Sequence, residues 1–276
     1  MSHALDGRTV GFLGGGAMAD ALIGGLRARG LAPEQLRAAD PDPARRALLQ
    51  ERHGVGASAE NAEVVAGSDL LVIALKPGVV AGALAELRGR RGLDLARPLW
   101  ISIAAGIPLD RLEAALPGAR IVRAMPNTPC LVGAGATAFF AGANVATAER
   151  AAARALFEAV GTCWEAPSEG LLDAVTGLSG SGPAYVFVFM EALGDAGVRM
   201  GLPREAAYQL AFQTVLGAAK LALETGRHPA VLKDQVTSPG GTTIAGLERL
   251  EAGGFRAAVY EAVAAATRRA RELAGS

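Results

Sequence analysis

The sequence predicts an α/β chain, with a doubly wound parallel sheet in the N-terminal part and an all-helical domain behind it. Three observations carry this expectation. Short β-like runs alternate with amphipathic helical stretches from the start, the β signal stops near residue 168, and a glycine-rich turn joins the first strand-like run to the first helical one. Alternation of this kind calls for right-handed crossovers and a parallel sheet covered on both faces. The series opens with "RTVGFLG" (8–14) and "AMADALIGGLRARG" (17–30). It continues with "QLRAAD" (35–40) before "PARRALLQERHG" (43–54), and "SDLLVIALK" (68–76) before "GVVAGALAELRG" (78–89). The runs "RPLWISIAA" (97–105) and "ARIVRAMPN" (119–127) add two more strands. Beyond them come helices over 181–201, 203–226 and 229–236, then two more around "FRAAVYEAVAAATRRARELAG". Pro203 suits a first helical turn and Gly226 a stop. The expected domains are 1–167 and 168–276.

Composition narrows the function classes. The 27 basic residues match the 27 acidic ones, so no broad field draws the chain to nucleic acid or to an anionic bilayer. The two cysteines, Cys130 and Cys163, lie outside any CxxC spacing, which argues against a disulfide framework and a zinc site and fits a reducing cytoplasm. The opening "MSHALDGRTV" lacks the pattern of a secretion signal, and charge or glycine interrupts every apolar run before it could span a membrane. The stretch 204–225 is apolar around much of its circumference, which predicts a buried helix or, preferably, contact with a second subunit.

Gly14, Gly15, Gly16, Ala17, Met18 and Ala19 read G-x-G-x-x-A between the first strand and the first helix, the setting of a Rossmann-type dinucleotide loop. Gly14 permits the turn, Gly16 admits a pyrophosphate to the backbone, and Ala19 lets helix pack on strand. Asp40 ends the second strand, where a carboxylate would hold the ribose 2′-hydroxyl of NADH and repel the 2′-phosphate of NADPH. Arg45 and Arg46 follow, as partners for that phosphate or as solvated side chains behind an Asp42 helix cap. The choice of cofactor stays open at this point. Lys76 stands at another strand end, facing phosphate, substrate or water.

The strings "GFLGGGAMA", "ALKP", "SIAAGI", "RAMPNTP", "GLSGSGPAY" and "VTSPGGTTIAGLERLEAGGFR" follow one another in an order and spacing that resembles pyrroline-5-carboxylate reductase over nearly the whole chain. The last string is highly specific and the first is shared by many dehydrogenases. The resemblance implies a Rossmann domain followed by a helical dimerisation domain, with homodimers that in some relatives assemble into decamers. It also implies NADPH as cofactor with NADH possible, and the cyclic imine 1-pyrroline-5-carboxylate as substrate. Leu13, Asn61, the segment Ala74, Leu75, Lys76 and Pro77, and the segment Ile103, Ala104 and Ala105 would face the nucleotide. Ser238, Gly240, Gly241, Thr242 and Thr243 would line the substrate site, with Thr243 bonded to the ring nitrogen. Ala17 departs from the Asn or Gln usual in relatives, so one amide contact to the cofactor is missing.

The loop "SPGGTT" fits this role physically. Gly240 and Gly241 leave N–H groups unobstructed, and a helix starting near Thr243 directs its positive end at a carboxylate. Asn127 and Thr128 in "MPNTP" are placed to order the nicotinamide amide or the substrate, and "SGSGP" (179–183) to admit a close neighbour at a helix start, with Ser181 as a competing cap. His3, His53 and His228 read as terminal, surface and capping residues, which leaves no triad and no metal cluster. A β-hydroxyacid dehydrogenase shares the architecture. Here Gly177, Gly180 and Gly182 keep its junction pattern, but Val186 replaces the proton-transferring lysine and Phe189 the asparagine.

Overall fold

The computed structural model describes residues 3–275; Met1, Ser2 and Ser276, and the side chain of His3, lie outside the described residues. Contact density divides the chain into two compact units, one running to Ser181 and resuming at Ala265, the other Gly182–Ala264. The expected boundary at 167/168 falls earlier than this division. The reason is local: Ala166 and Leu172 are buried with Ala138 of the sheet, so the segment after residue 168 packs as part of the first unit.

The first unit is built on strands β1 (Val10–Leu13), β2 (Leu36–Ala39), β3 (Gly56–Ser58), β4 (Leu70–Ile73), β5 (Leu99–Ser102), β6 (Arg120–Met125), β7 (Gly135–Ala141) and β8 (Gly161–Glu165). They form one sheet in the order β3-β2-β1-β4-β5-β6-β7-β8. Helices α1 (Ala17–Ala28), α2 (Pro43–His53), α3 (Asn61–Ala66), α4 (Pro77–Gly89), α5 (Leu109–Ala115) and α6 (Thr147–Glu158) lie between them, and α7 (Leu171–Val175) follows β8. Strands β1, β4 and β5 are apolar at nearly every position because both faces are covered. Val10, Phe12, Leu70, Val72 and Ile101 point to the side of α1 and α6, whereas Leu13, Leu71, Ile73 and Trp100 join Leu84 of α4 and Leu112 of α5 on the other.

The sheet is not wholly parallel. Strand β7 runs antiparallel to β6, with Val122 opposite Ala141, and β8 then pairs parallel to β7. The sequence reading assigned no element to β3, α3, α5, β7, α6 or β8. Strand β7, "GATAFFA", is half Gly and Ala, residues with weak strand preference, and is held by its neighbours.

The second unit is helical: α8 (Gly182–Arg199), α9 (Arg204–Thr225), α10 (Pro229–Gln235), α11 (Thr242–Ala252) and the first half of α12 (Phe255–Gly275). Helices α8 and α9 approach closely because Gly194 faces the Tyr208 ring and Gly197 faces Ala207. Only Ala207 and Ala211 of α9 are buried, while Leu216 is 59% and Leu223 81% exposed. Within one chain, the apolar circumference of this helix is therefore largely uncovered.

Candidate active site

The strand order reverses direction between β1 and β4, the place where open α/β sheets take ligands at their carboxyl edge. Backbone bonds set the loops there in register. The Gly14 N–H donates to Ala39 O at 2.8 Å and the Ala74 N–H to Leu13 O at 2.8 Å. Farther along, the Ile103 N–H donates to Ile73 O at 3.2 Å. Gly14 has φ 98°, and a Cβ there would lie 2.7 Å from Ala74 O, so the turn itself demands glycine. Gly16 is different. Its φ of −68° suits any residue, and a Cβ would meet no protein atom within 4 Å. The fold does not require glycine at 16; the open space above it is what a bare backbone leaves for an incoming group. No side chain caps the N-terminus of α1, which leaves its first amides to an anion. Ala19 is fully buried against the sheet. These residues fit a dinucleotide pyrophosphate.

Asp40 sits beside this loop. Its Oδ2 accepts the Gly15 N–H at 2.8 Å and its Oδ1 the Asp42 N–H at 2.9 Å. Asp42 in turn caps α2, accepting the Ala44 N–H at 2.8 Å. The two arginines are not simply solvated. Arg45 donates from Nε and Nη2 to Gly15 O at 3.0 and 2.7 Å, and Arg46 from Nη1 to Asp40 O at 2.8 Å.

The remaining sequence-predicted cofactor residues lie at strand ends or helix starts of the same unit. Ala17, Lys76, Pro77 and Ala105 are exposed; Met18, Asn61, Ala74, Leu75 and Ile103 are half-buried. The Leu13 and Ala104 side chains belong to the core, so only their backbone can face a ligand.

At the end of β6 the structure spends Asn127 on framework. Its side chain is buried, with Nδ2 donating to Ser179 O at 3.0 Å and Oδ1 accepting the Ala136 N–H at 2.8 Å. Both ends of the amide are thus occupied by backbone. Arg123, also buried, pairs with Glu169 at 2.7 Å, and the same carboxylate oxygen accepts the Leu109 N–H at 2.7 Å. Where the sequence suggested a loop and a capped helix start, a π turn spans Thr176–Gly180, closed by the Ser181 N–H on Thr176 O at 2.8 Å. No local signal betrays such a turn, since one extra residue leaves the helical pattern intact on either side.

In the second unit, α11 begins at Thr242 with Gly241 as its N-cap residue and no side chain capping it. Gly240 has φ 66°, and the Gly241 N–H donates to Ser238 O at 3.0 Å, which folds the loop back on itself ahead of the helix. Ser238, Gly240 and Thr242 are exposed, Gly241 and Thr243 half-buried. A cavity of about 480 Å³ beside the loop has Gly240, Gly241, Lys233, Glu248 and Glu251 in its wall. Its two carboxylates, with Lys233 already paired to Asp234 at 3.1 Å, make it a poor anion site. The bare helix N-terminus is the better one.

Little else offers acid, base or nucleophile. His53 is half-buried, its Nε2 2.7 Å from Asp20 Oδ1, a correction to its reading as a surface or capping residue; His228 does cap α10 through Nδ1. Burial pushes the Cys163 thiol up to about 12 and raises Cys130 as well, so neither supplies a thiolate at neutral pH. Val186 and Phe189 lie on α8 with nothing in their place to transfer a proton. Among the described residues, no three or more His, Cys, Asp or Glu side chains converge as metal ligands would. Among the described residues, no helix is long and apolar enough to cross a membrane.

Known proteins carry the same two halves. A family model described as pyrroline-5-carboxylate reductase dimerisation matches residues 169–273, and one described as NADP oxidoreductase, coenzyme F420-dependent, matches residues 9–106. A pyrroline-5-carboxylate reductase of Synechocystis is 51% identical over 96% of this chain and 97% of its own. That of Escherichia coli is 43% identical over 98% and 99%. Among solved structures, the reductase of Coxiella burnetii superposes with a TM-score of 0.91 at 38% identity, covering 96% of this chain and 98% of that one. The Plasmodium falciparum enzyme, solved with NADP bound, gives 0.86 at 32%, covering 98% and 99%. A glycine loop at the sheet's switch point, an uncapped helix behind "SPGGTT", and likeness running end to end have one common account: the chain belongs to the pyrroline-5-carboxylate reductase family.

Proposed function

We propose that the protein reduces 1-pyrroline-5-carboxylate to L-proline with NADPH, the last step of proline biosynthesis, with NADH as an alternative donor. The observation that carries this reading is the pair of uncapped helix N-termini, one behind Gly16 and one behind Gly241, each preceded by glycines. The first suits the pyrophosphate of the cofactor and the second the carboxylate of the substrate. When bound, the dihydronicotinamide supplies the hydride.

The work of the chain's own residues is binding and orientation. Gly16, Ala17 and Met18 would hold the pyrophosphate through their backbone N–H groups, with Gly14 and Gly15 shaping the turn that presents them. Asn61, Ala74–Pro77 and Ile103–Ala105 would form the wall of the nucleotide site, with Arg45 and Arg46, at the start of α2 just beyond Asp40, available to a 2′-phosphate. The N–H groups of Thr242 and Thr243 would grip the carboxylate, with Ser238, Gly240 and Gly241 shaping the loop. Thr243 would hydrogen-bond the ring nitrogen. A neutral hydroxyl orients an imine without acting as a strong acid, so the proton arrives with the protonated imine or from water. That economy agrees with the absence of a lysine at Val186. Asn127 serves by ordering the loop that carries it.

Subunits would pair through the exposed apolar faces of α8, α9 and α11, as homodimers, in the cytoplasm. The deciding experiment follows NADPH or NADH oxidation by purified protein given racemic pyrroline-5-carboxylate. Oxidation that yields L-proline is the expected result. A folded protein that binds nucleotide and consumes neither cofactor would overturn the reading in favour of another imine or a non-catalytic sensor.

A further inference from the structure

The Gly15 peptide is held from both ends. Its N–H donates to Asp40 Oδ2 at 2.8 Å, and its carbonyl accepts the Arg45 fork at 3.0 and 2.7 Å. Asp40 is itself held through both carboxylate oxygens and both of its backbone groups. Oδ1 takes the Asp42 N–H at 2.9 Å, the Asp40 backbone N–H donates to Ser58 O at 3.0 Å, and Asp40 O receives Arg46 at 2.8 Å. A Cβ at Gly15 would stand 3.3 Å from both Cβ and Oδ2 of Asp40, so the carboxylate lies directly against the loop. Hydrogen bonds from backbone N–H to an ionised carboxylate are among the stronger ones a protein makes. This carboxylate makes one with each oxygen, and both partners are the protein's own amides.

We infer that Asp40 is a positioning residue that braces the pyrophosphate loop through the Gly15 peptide, and that it does not select between the two nicotinamide cofactors. The general rule for a carboxylate at the end of a second strand is the opposite one, that it reads the ribose. Here its orientation is fixed by the loop before any ribose arrives. NADPH and NADH present the same pyrophosphate, so a brace acts equally on both. This inference rests on the reading of Gly14–Ala19 as a dinucleotide loop, not on the identity of the imine.

Calorimetric titration of the full-length protein and its Asp40→Ser and Asp40→Asn variants with NADPH, NADH and adenosine 2′-phosphate tests it. The last ligand carries the 2′-phosphate but no pyrophosphate. Asp40→Ser should weaken NADPH and NADH alike, by about tenfold, the scale of a lost hydrogen bond to a charged group. The NADPH/NADH ratio should stay within about threefold, and adenosine 2′-phosphate should bind as before. Asp40→Asn, isosteric and still offering one acceptor, should lie between, and it carries the test if the serine variant melts markedly lower. Tighter binding of adenosine 2′-phosphate by either variant, or a loss confined to NADH, would overturn the inference. Imine turnover does not enter these titrations, so a failure of the proposed reaction would appear separately, as binding without reduction.

Discussion

Two glycines of one loop answer to different demands. Gly14 is required by its own backbone, whereas Gly16 is required by nothing in the protein. The sequence motif shows both letters and cannot tell them apart; only the space around each does. Asp40 teaches the same lesson, since its type and position were legible in the sequence but the direction of its carboxylate is set by two amides, one on neighbouring Asp42 and one on Gly15 in a different loop. At Thr243 sequence and structure agree on placement in the first turn of α11, half-buried behind Gly241. On the proposed role of Thr243, its exchange for Ala would remove one donor to the ring nitrogen. Turnover at saturating imine should fall by about ten- to a hundredfold, toward the range measured for single positioned donors. The dissociation constant for NADPH should move by less than about twofold, and Thr243→Ser should recover most of the rate. Steady-state kinetics alongside calorimetry would separate the two quantities, and unchanged turnover in the alanine variant would remove Thr243 from the mechanism.

Among the elements, the apolar strands β1, β4 and β5 were readable because two-sided burial writes itself as continuous Val, Ile and Leu. Strands β7 and β8 were not, since Gly- and Ala-rich or half-exposed strands lack that signature and owe their state to pairing with β6 and with each other. The entries of β1 and β4 are joined by a local clasp: Thr9 donates from N and Oγ1 to Asp69 Oδ2, both at 2.9 Å, and Arg97 lies 3.3 Å from Oδ1. Partial burial would raise the Asp69 carboxyl, but the Thr9 bonds together with Arg97 and Arg8 outweigh it and hold the group below its ordinary value of 3.8. A carboxyl lowered by folding contributes stability above its unfolded value, and that contribution is lost as pH falls through the folded one. Asp69→Asn should therefore cost about 1 kcal/mol at pH 7, a modest figure because the site is partly solvated. The gap to wild type should narrow as the pH drops below 3.8. Urea unfolding at pH 7 and pH 3 measures both; an equal cost at the two values would mean the clasp works by shape and not by charge.

For the molecule as a whole, the helical unit exposes more apolar surface than a lone chain keeps in water: Phe187 is 62%, Leu216 59% and Tyr260 77% open. Together with the match to a dimerisation family, this leads to a direct expectation. Leu216→Glu, on the exposed face of α9, should shift the protein toward monomer in light scattering and lower its activity at dilute concentration. A variant that scatters like wild type would exclude that face of α9 from the contact. The apolar cover missing from α9 also has a consequence in time. Association makes folded stability a function of copy number, by about 1.4 kcal/mol for each tenfold change in concentration. The earliest chains off the ribosome, when partners are scarce, are the ones most exposed to proteases and to aggregation, and a burst of synthesis is self-protecting in a way that a trickle is not.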